Sequence, residues 1–241
     1  MRQKLIMYGS FFVVLVLGFW YFVFKDEDLS KSPLAVINAM VQDFSFTSQD
    51  GKMVTEKDVD GKVYVANYFF TTCKGICPRM NANMRRVYDA FKDEPDFMII
   101  SHTCMPETDS LPLLKAYAKK MINGKLVKNA DGSCYIEAPN PGPDHSPANW
   151  YFVTGDKSAL YKMARQGYLI DNNKPDSMQN IADQFIHTQF FALVDKQRRV
   201  RGIYDGLKIY EIEKLQEDIR GLLKEKVNHP RFMNGFSNNP G

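Results

Sequence analysis

Cys73 and Cys77 are the residues of this chain best suited to chemistry. They lie in the stretch YFFTTCKGICPRM, with three residues between them. A two-residue spacer is the usual redox dithiol. A three-residue spacer sets the sulfurs one helical turn apart, on one face. That geometry still closes a disulfide. It also offers two soft thiolates to one metal ion, with space for a third ligand from elsewhere. Pro78 suits the first turn of a helix, because it has no N–H to leave unpaired. The N–H groups at that helix start, with Lys74 and Arg79 nearby, are expected to favour the thiolate. An inert disulfide across one turn is the plainer alternative, and a placement suited to access argues against it.

A metal needs a third ligand. The histidines are His102, His145, His187 and His229. A histidine taken alone is more often structural than a ligand, so position has to separate them. His229 lies beside the tail and His145 sits among prolines in a loop-like segment. His102 ends an apolar run. His187 immediately precedes the strand-like TQFFALVD, so its place depends on how that strand lies against the one that leads to Cys73, and there it is expected to face the cysteine motif. Two thiolates and one imidazole make a trigonal soft set suited to copper. Zinc usually takes a fourth ligand.

The elements around these residues can be read from periodicity. VQDFSFTSQDGKMVT alternates around a Gln-Asp-Gly turn and predicts a hairpin. KVYVANYFF is a nearly continuous apolar run, the pattern of a strand covered on both faces, and Cys73 lies just past its end. RMNANMRRVYDAFKD has helical spacing, and DFMIIS, SLPLLKAYAKKM, NWYFVTG and KSALYKMARQGYLI continue the alternation of strand and helix. TQFFALVDKQRRVRGIYDG predicts an antiparallel hairpin, and EIEKLQEDIRGLLKEKV a closing helix. The sum is an α/β, thioredoxin-like fold with a mixed central sheet flanked by helices. Residues 123–147, rich in Gly, Pro, Asn and Asp, read as an inserted loop.

Ahead of this domain, Leu5 to Phe24 is uncharged and apolar, about the length that spans the ~30 Å hydrocarbon core as a helix. Arg2 and Lys4 precede it, and Lys25, Asp26, Glu27 and Asp28 follow. The positive-inside rule then puts residues 1–4 in the cytoplasm and the domain outside the cytoplasmic membrane. A cleaved signal peptide would need a small-residue cleavage site, and FVFKDEDLSKS has none. The expected organisation is an anchor over 5–24, a linker over 25–36, the domain over 37–228 and a flexible tail over 229–241. With 31 Lys and Arg against 28 Asp and Glu, no basic surface for nucleic acid is indicated. Outside the cytoplasm all four cysteines can be oxidised.

Over roughly residues 37 to 226 the chain resembles the SCO/SenC family, membrane-anchored copper proteins of thioredoxin fold that assist assembly of the CuA centre of cytochrome c oxidase. YFFTTCKGICPRM looks like the family's copper-binding segment, whose cysteines fall on Cys73 and Cys77. FIHTQFFALVDKQRRVRGIYDG looks like the segment bearing its histidine ligand, which falls on His187. MIISHTCMPETDSLPLLKAYAKKM and NWYFVTGDKSALYKMARQGY look like the blocks between. One departure stands out. Where the family usually reads S-x-x-V-D-P-E, this chain reads SHTCMPE, so Cys104 and Met105 replace the usual pair and its acid. Cys134 in the insertion is also atypical. A second disulfide, Cys104 to Cys134, is expected to staple the insertion to the sheet edge. Added sulfur ligation by Cys104 and Met105 is the competing idea.

The resemblance implies a copper metallochaperone loaded by a copper donor protein and serving the CuA-bearing oxidase subunit. Thiol–disulfide exchange on the oxidase's copper-site cysteines is the alternative, and it needs only the cysteine pair. A redox or copper sensor is a third reading. A peroxidase is disfavoured, since NYFFTT before Cys73 lacks the proline of the usual peroxidase run.

Overall fold

The computed structural model describes residues 2–24, 34–73, 75–129, 134–138, 149–171 and 188–226. The chain divides into two compact units, Met1–Lys31 and Ser32–Gly241. In the first, α1 (Arg2–Phe24) covers the apolar run. Its large apolar side chains from Ile6 to Tyr21 are exposed around the helix. Among the described residues no helix is long and apolar enough to cross a membrane. The side chains of Leu5 and of residues 22–24, at the ends of the run, lie outside the described ones.

The second unit is built on a mixed sheet of seven strands. These are β1 (Ser45–Ser48), β2 (Met53–Thr55), β3 (Val63–Phe69), β4 (Phe97–Thr103), β7 (Trp150–Thr154), β8 (Phe190–Val194) and β9 (Val200–Asp205), in the order β2-β1-β7-β4-β3-β8-β9. β3, β4 and β7 run parallel, while β1 and β8 flank them antiparallel. Both β3 and β4 are buried along their whole length, as their unbroken apolar runs require when both faces are covered. Val63, Val65 and Phe69 face α3 (Cys77–Phe91), α4 (Leu111–Asn123) and α6 (Ile209–Lys224). Tyr64, Ala66 and Tyr68 face a second core, formed by Leu160 and Tyr161 of α5 (Lys157–Lys162), the π-helical turn Met163–Gly167, and Phe46 and Val54 of the first hairpin. A short α2 (Glu56–Val59) joins that hairpin to β3.

The insertion is more ordered than expected over part of its length. Within it β5 (Lys125–Lys128) and β6 (Cys134–Glu137) pair antiparallel, with Leu126 opposite Ile136. Ile136 joins the first core and β6 packs on α3. Gly124 turns α4 into β5, where a Cβ would strike the backbone oxygens of Lys120 and Glu137. Residues 130–133 and 139–148, His145 among them, lie outside the described residues, as do 25–33 of the expected linker and the tail from 227 on, with His229.

His102, on β4, is a core histidine. Its ring stacks on Tyr68 at 5.0 Å and meets Phe46 edge-on at 5.3 Å. Nε2 lies 3.1 Å from the Tyr168 hydroxyl. Burial alone pushes its pKa from 6.5 down to about 3. The folded chain therefore keeps His102 neutral over a range in which the unfolded chain protonates it. Its share of stability is complete above about 6.5 and is lost as pH falls toward about 3. His102→Phe should flatten the acid loss of stability by up to about 1.4 kcal/mol per pH unit, read from urea midpoints at several pH values below neutrality. An unchanged slope would place the acid sensitivity in other groups.

Candidate functional site

The parallel pairing of β3 and β4 ends at Phe69 opposite Thr103. The chain then turns outward. The Cys73 N–H returns to the Phe70 carbonyl at 3.2 Å, and α3 begins at Cys77 with its first backbone bond from Met80 N–H to the Ile76 carbonyl at 3.1 Å. Pro78 occupies the first turn, as expected. Lys74 lies outside the described residues. Cys73 is half-buried and Cys77 is 5 % exposed. Both are free thiols, and Cys73 lies close enough to act on the Cys77 thiol.

Electrostatics at Cys77 differ from the expectation. Burial drives its thiol well above the ordinary thiol range, and the neighbouring Cys73 pushes the same way. The Phe70 backbone, hydrogen-bonded to the sulfur, pulls in the opposite direction and is outweighed. A helix start favours a thiolate only where solvent or charge helps to support it. At Cys77 the cost of burying the charged form prevails. Beneath the pair, Tyr117 stacks on Phe69 at 4.9 Å and accepts a hydrogen bond from Asn81 at 2.5 Å. Burial first, then the nearby cysteines, hold the Tyr117 phenol far above its usual range.

Cys104 follows β4 and is 2 % exposed. Its N–H and its thiol both donate to the Phe69 carbonyl, at 2.9 and 3.2 Å. Burial, then the charge of Asp109, push its pKa up to about 12. The expected staple to Cys134 is corrected here. Cys104 belongs to the second core, whereas Cys134 sits on β6 against α3, on the other side of the sheet, where it accepts from Arg86 Nη2 at 3.0 Å. Both are free thiols. Added ligation fares no better: Met105 packs on the second core. Among the described residues no three His, Cys, Asp or Glu side chains converge closely enough to hold a metal ion.

His187 lies outside the described residues. Its neighbour Thr188 does not. Thr188 is 7 % exposed, donates from Oγ1 to the Ile170 carbonyl at 2.5 Å, and accepts from the Phe190 N–H at 3.2 Å. β8 then pairs antiparallel with β3 through Ala192 opposite Ala66. The pairing stops at that pair, short of Phe69 and Phe190. The entry to β8 is thus tied to Ile170, at the end of the second core.

Sequence reasoning missed Asp109. This carboxylate is 1 % exposed and ties the cysteine loop to the end of β4. It accepts from Thr71 N–H at 3.2 Å, from Thr71 Oγ1 at 2.6 Å, and from Thr103 Oγ1. Thr103 Oγ1 in turn accepts from Met105 N–H at 3.0 Å. In the sequence Asp109 is a single acid just before a helix start, indistinguishable from an ordinary cap residue. Asp109→Ala should cost roughly 2–4 kcal/mol, because it leaves a part-buried N–H and hydroxyl of Thr71 and the buried hydroxyl of Thr103 without their acceptor. Urea unfolding measures the loss, and alkylation of Cys73 should accelerate as the loop loosens. An unaltered midpoint would mean that other contacts hold the loop.

Comparison with known proteins agrees with this geometry. The SCO1/SenC family model matches residues 35–132 and 142–224. The SCO1 protein homolog of Bacillus subtilis (strain 168) is 31% identical over 192 residues, covering 79% of this chain and 84% of its own. The structure of BsSco, described as a member of the Sco family of cytochrome c oxidase assembly proteins with a disulfide switch, superposes with a TM-score of 0.59 at 29% identity, covering 80% of this chain and 98% of that one. Arabidopsis thaliana ScoI with copper bound shares the fold, with a TM-score of 0.51 at 19% identity over 78% of this chain and 100% of that one. With a paired-thiol loop at the end of a buried strand and a family match across both halves of the domain, this chain belongs to the SCO1/SenC family.

Proposed function

We propose that this chain holds one copper ion through Cys73, Cys77 and His187 and passes it to the CuA-bearing subunit during assembly of cytochrome c oxidase. The observation that carries the reading is the pair of free thiols where β3 gives way to α3, with β8, the strand that His187 precedes in sequence, as the neighbour of β3. Two thiolates and an imidazole suit copper in either of its common oxidation states. A copper donor protein supplies the ion. The half-buried Cys73 gives a partner access, so the ion can leave as well as arrive. Family membership supports this reading, since BsSco is described among oxidase assembly proteins and Arabidopsis ScoI carries copper.

Membrane attachment is part of the same proposal. Leu5 to Phe24 carries no charge, and α1 extends over all of it. A helix apolar on every side is stable in lipid rather than in water. Arg2 and Lys4 on one side, and Asp26, Glu27 and Asp28 after Lys25 on the other, orient it with the N-terminus in the cytoplasm and the copper site outside.

A second reading, thiol–disulfide exchange on the oxidase's copper-site cysteines, is favoured by the unequal exposure of the pair. Cys73 is reachable and Cys77 is covered, the arrangement of an attacking and a resolving thiol. The two readings are compatible, because a disulfide across the pair removes both thiolates from copper.

Copper titration against a competing chelator tests the proposal. Wild type should bind one ion with a Cu(II)–thiolate charge-transfer band. Cys73→Ser and Cys77→Ser should lose the band, and His187→Ala should bind at least tenfold more weakly. Full affinity in His187→Ala defeats the three-ligand site. Disulfide reduction without copper binding favours the second reading. The pH dependence has a definite sign. Burial keeps Cys77 protonated at neutral pH, so loading copper must expel that proton. Apparent affinity should therefore rise with pH, by about tenfold per unit for one proton released. A flat profile between pH 6 and 8 would show that Cys77 is not a ligand.

A further inference from the structure

We propose that Cys104 is a third redox-active thiol of this site, a second disulfide partner for Cys73 that competes with Cys77. The inference rests on Cys73 and Cys77 acting as a redox pair and is independent of copper.

The geometry comes from a single peptide unit. The Phe69–Phe70 peptide ends the paired part of β3, and in a trans peptide the C=O and the following N–H point to opposite edges of a strand. The Phe69 carbonyl takes the Cys104 thiol at 3.2 Å, on the β4 edge. The Phe70 N–H faces the Cys77 sulfur. Cys104 and Cys77 thus flank the same peptide. Cys73 folds back over it, with its N–H on the Phe70 carbonyl at 3.2 Å. Cys73 is also the sulfur whose charge both of the others feel. All three cysteines follow the point where the pairing of β3 with β4 ends. The plain alternative is that Cys104 is a small apolar core residue. A residue serving only to fill space does not require its sulfur at the strand end beside a reactive cysteine loop.

The order of exposure sets the order of reaction. Cys73 is half-buried, Cys77 is 5 % exposed and Cys104 is 2 % exposed. A disulfide-bearing molecule R–S–S–R reaches Cys73 first. The Cys73 thiolate attacks one sulfur, R–SH leaves, and a mixed disulfide forms on Cys73. Cys77 or Cys104 then attacks the Cys73 sulfur, which releases the second R–SH. Two protein thiols are oxidised and one external disulfide is reduced. From a closed Cys73–Cys77 bond, the Cys104 thiolate can also attack Cys73. The Cys73–Cys104 bond forms, the Cys73–Cys77 bond breaks, and Cys77 leaves as a thiolate and takes up the proton that Cys104 gave up. No net oxidation is involved in that exchange. The product withholds Cys73 from metal while Cys77 remains reduced.

The test uses the full chain in detergent, reduced and metal-free, exposed to oxidised glutathione. Samples are quenched with acid and alkylated, then read by intact mass and non-reducing peptide mapping. Cys77→Ser should lose its glutathione adduct and yield a peptide linking Cys73 to Cys104. Cys77→Ser with Cys104→Ala should retain glutathione on Cys73. Cys104→Ala alone should still close Cys73–Cys77, and circular dichroism should show that it folds. A lasting glutathione adduct in Cys77→Ser overturns the proposal, and so does a link from Cys73 to Cys134. In those outcomes a closed Cys73–Cys77 bond in the wild type leaves the proposed function standing. Failure of the wild type to close any bond overturns this proposal together with the redox reading of the pair.

Discussion

β3 and β4 hold parallel register from Val63 opposite Phe97 to Phe69 opposite Thr103, and past that pair the backbone needs new partners. Both strands are buried along both faces, so water cannot supply them freely. A buried N–H or C=O left unpaired costs about as much as a lost hydrogen bond. The residues that meet this demand are those of the site. Cys104 caps the Phe69 carbonyl with its backbone and its thiol. Asp109 takes the Thr71 N–H, and Cys73 N–H turns back onto Phe70. The chemistry therefore sits where the sheet stops being able to satisfy itself.

The same burial sets the electrostatics. A cysteine at a helix start is commonly held as a thiolate by the dipole and nearby cations. Here the helix start is packed between Tyr117, Phe69 and the strand end, and Cys77 retains its proton. A metal-free site of this kind is less nucleophilic at Cys77 than motif reading implies. It is also guarded, because a buried protonated thiol resists casual oxidation. Reactivity is concentrated at Cys73, the sulfur that a partner can reach.

Much of this was legible in the residues. The apolar runs of β3 and β4 announced strands covered on both faces, and the position of Cys73 just past the first of them followed directly. Helical spacing from Met80 to Phe91 fixed α3. Pairings across space were not legible. Cys104 and Cys134 are both cysteines in one domain, but sequence carries no record of which side of the sheet each occupies. β5 and β6 are each only four residues long, and the Gly, Pro and Asn around them hid their alternation. Asp109 was invisible for a related reason. A lone acid before a helix reads as a cap, and only the fold brings Thr71 and Thr103 to it.

The departure at Cys104 and Met105 can now be placed in physical terms. Where the family carries an acid, this chain carries sulfur, and Met105 packs on the second core. The carboxylate four residues on, Asp109, does not stand in as a free charge. Its oxygens are engaged by Thr71 and Thr103, and Thr71 belongs to the loop that leads to Cys73. Its charge is used to hold the loop in place. The immediate surroundings of the thiols are thus softer and less acidic than the family pattern implies. A soft, apolar rim lowers the local dielectric around Cys77, which raises the cost of its thiolate and favours whatever removes that charge, whether proton, metal ion or a second sulfur.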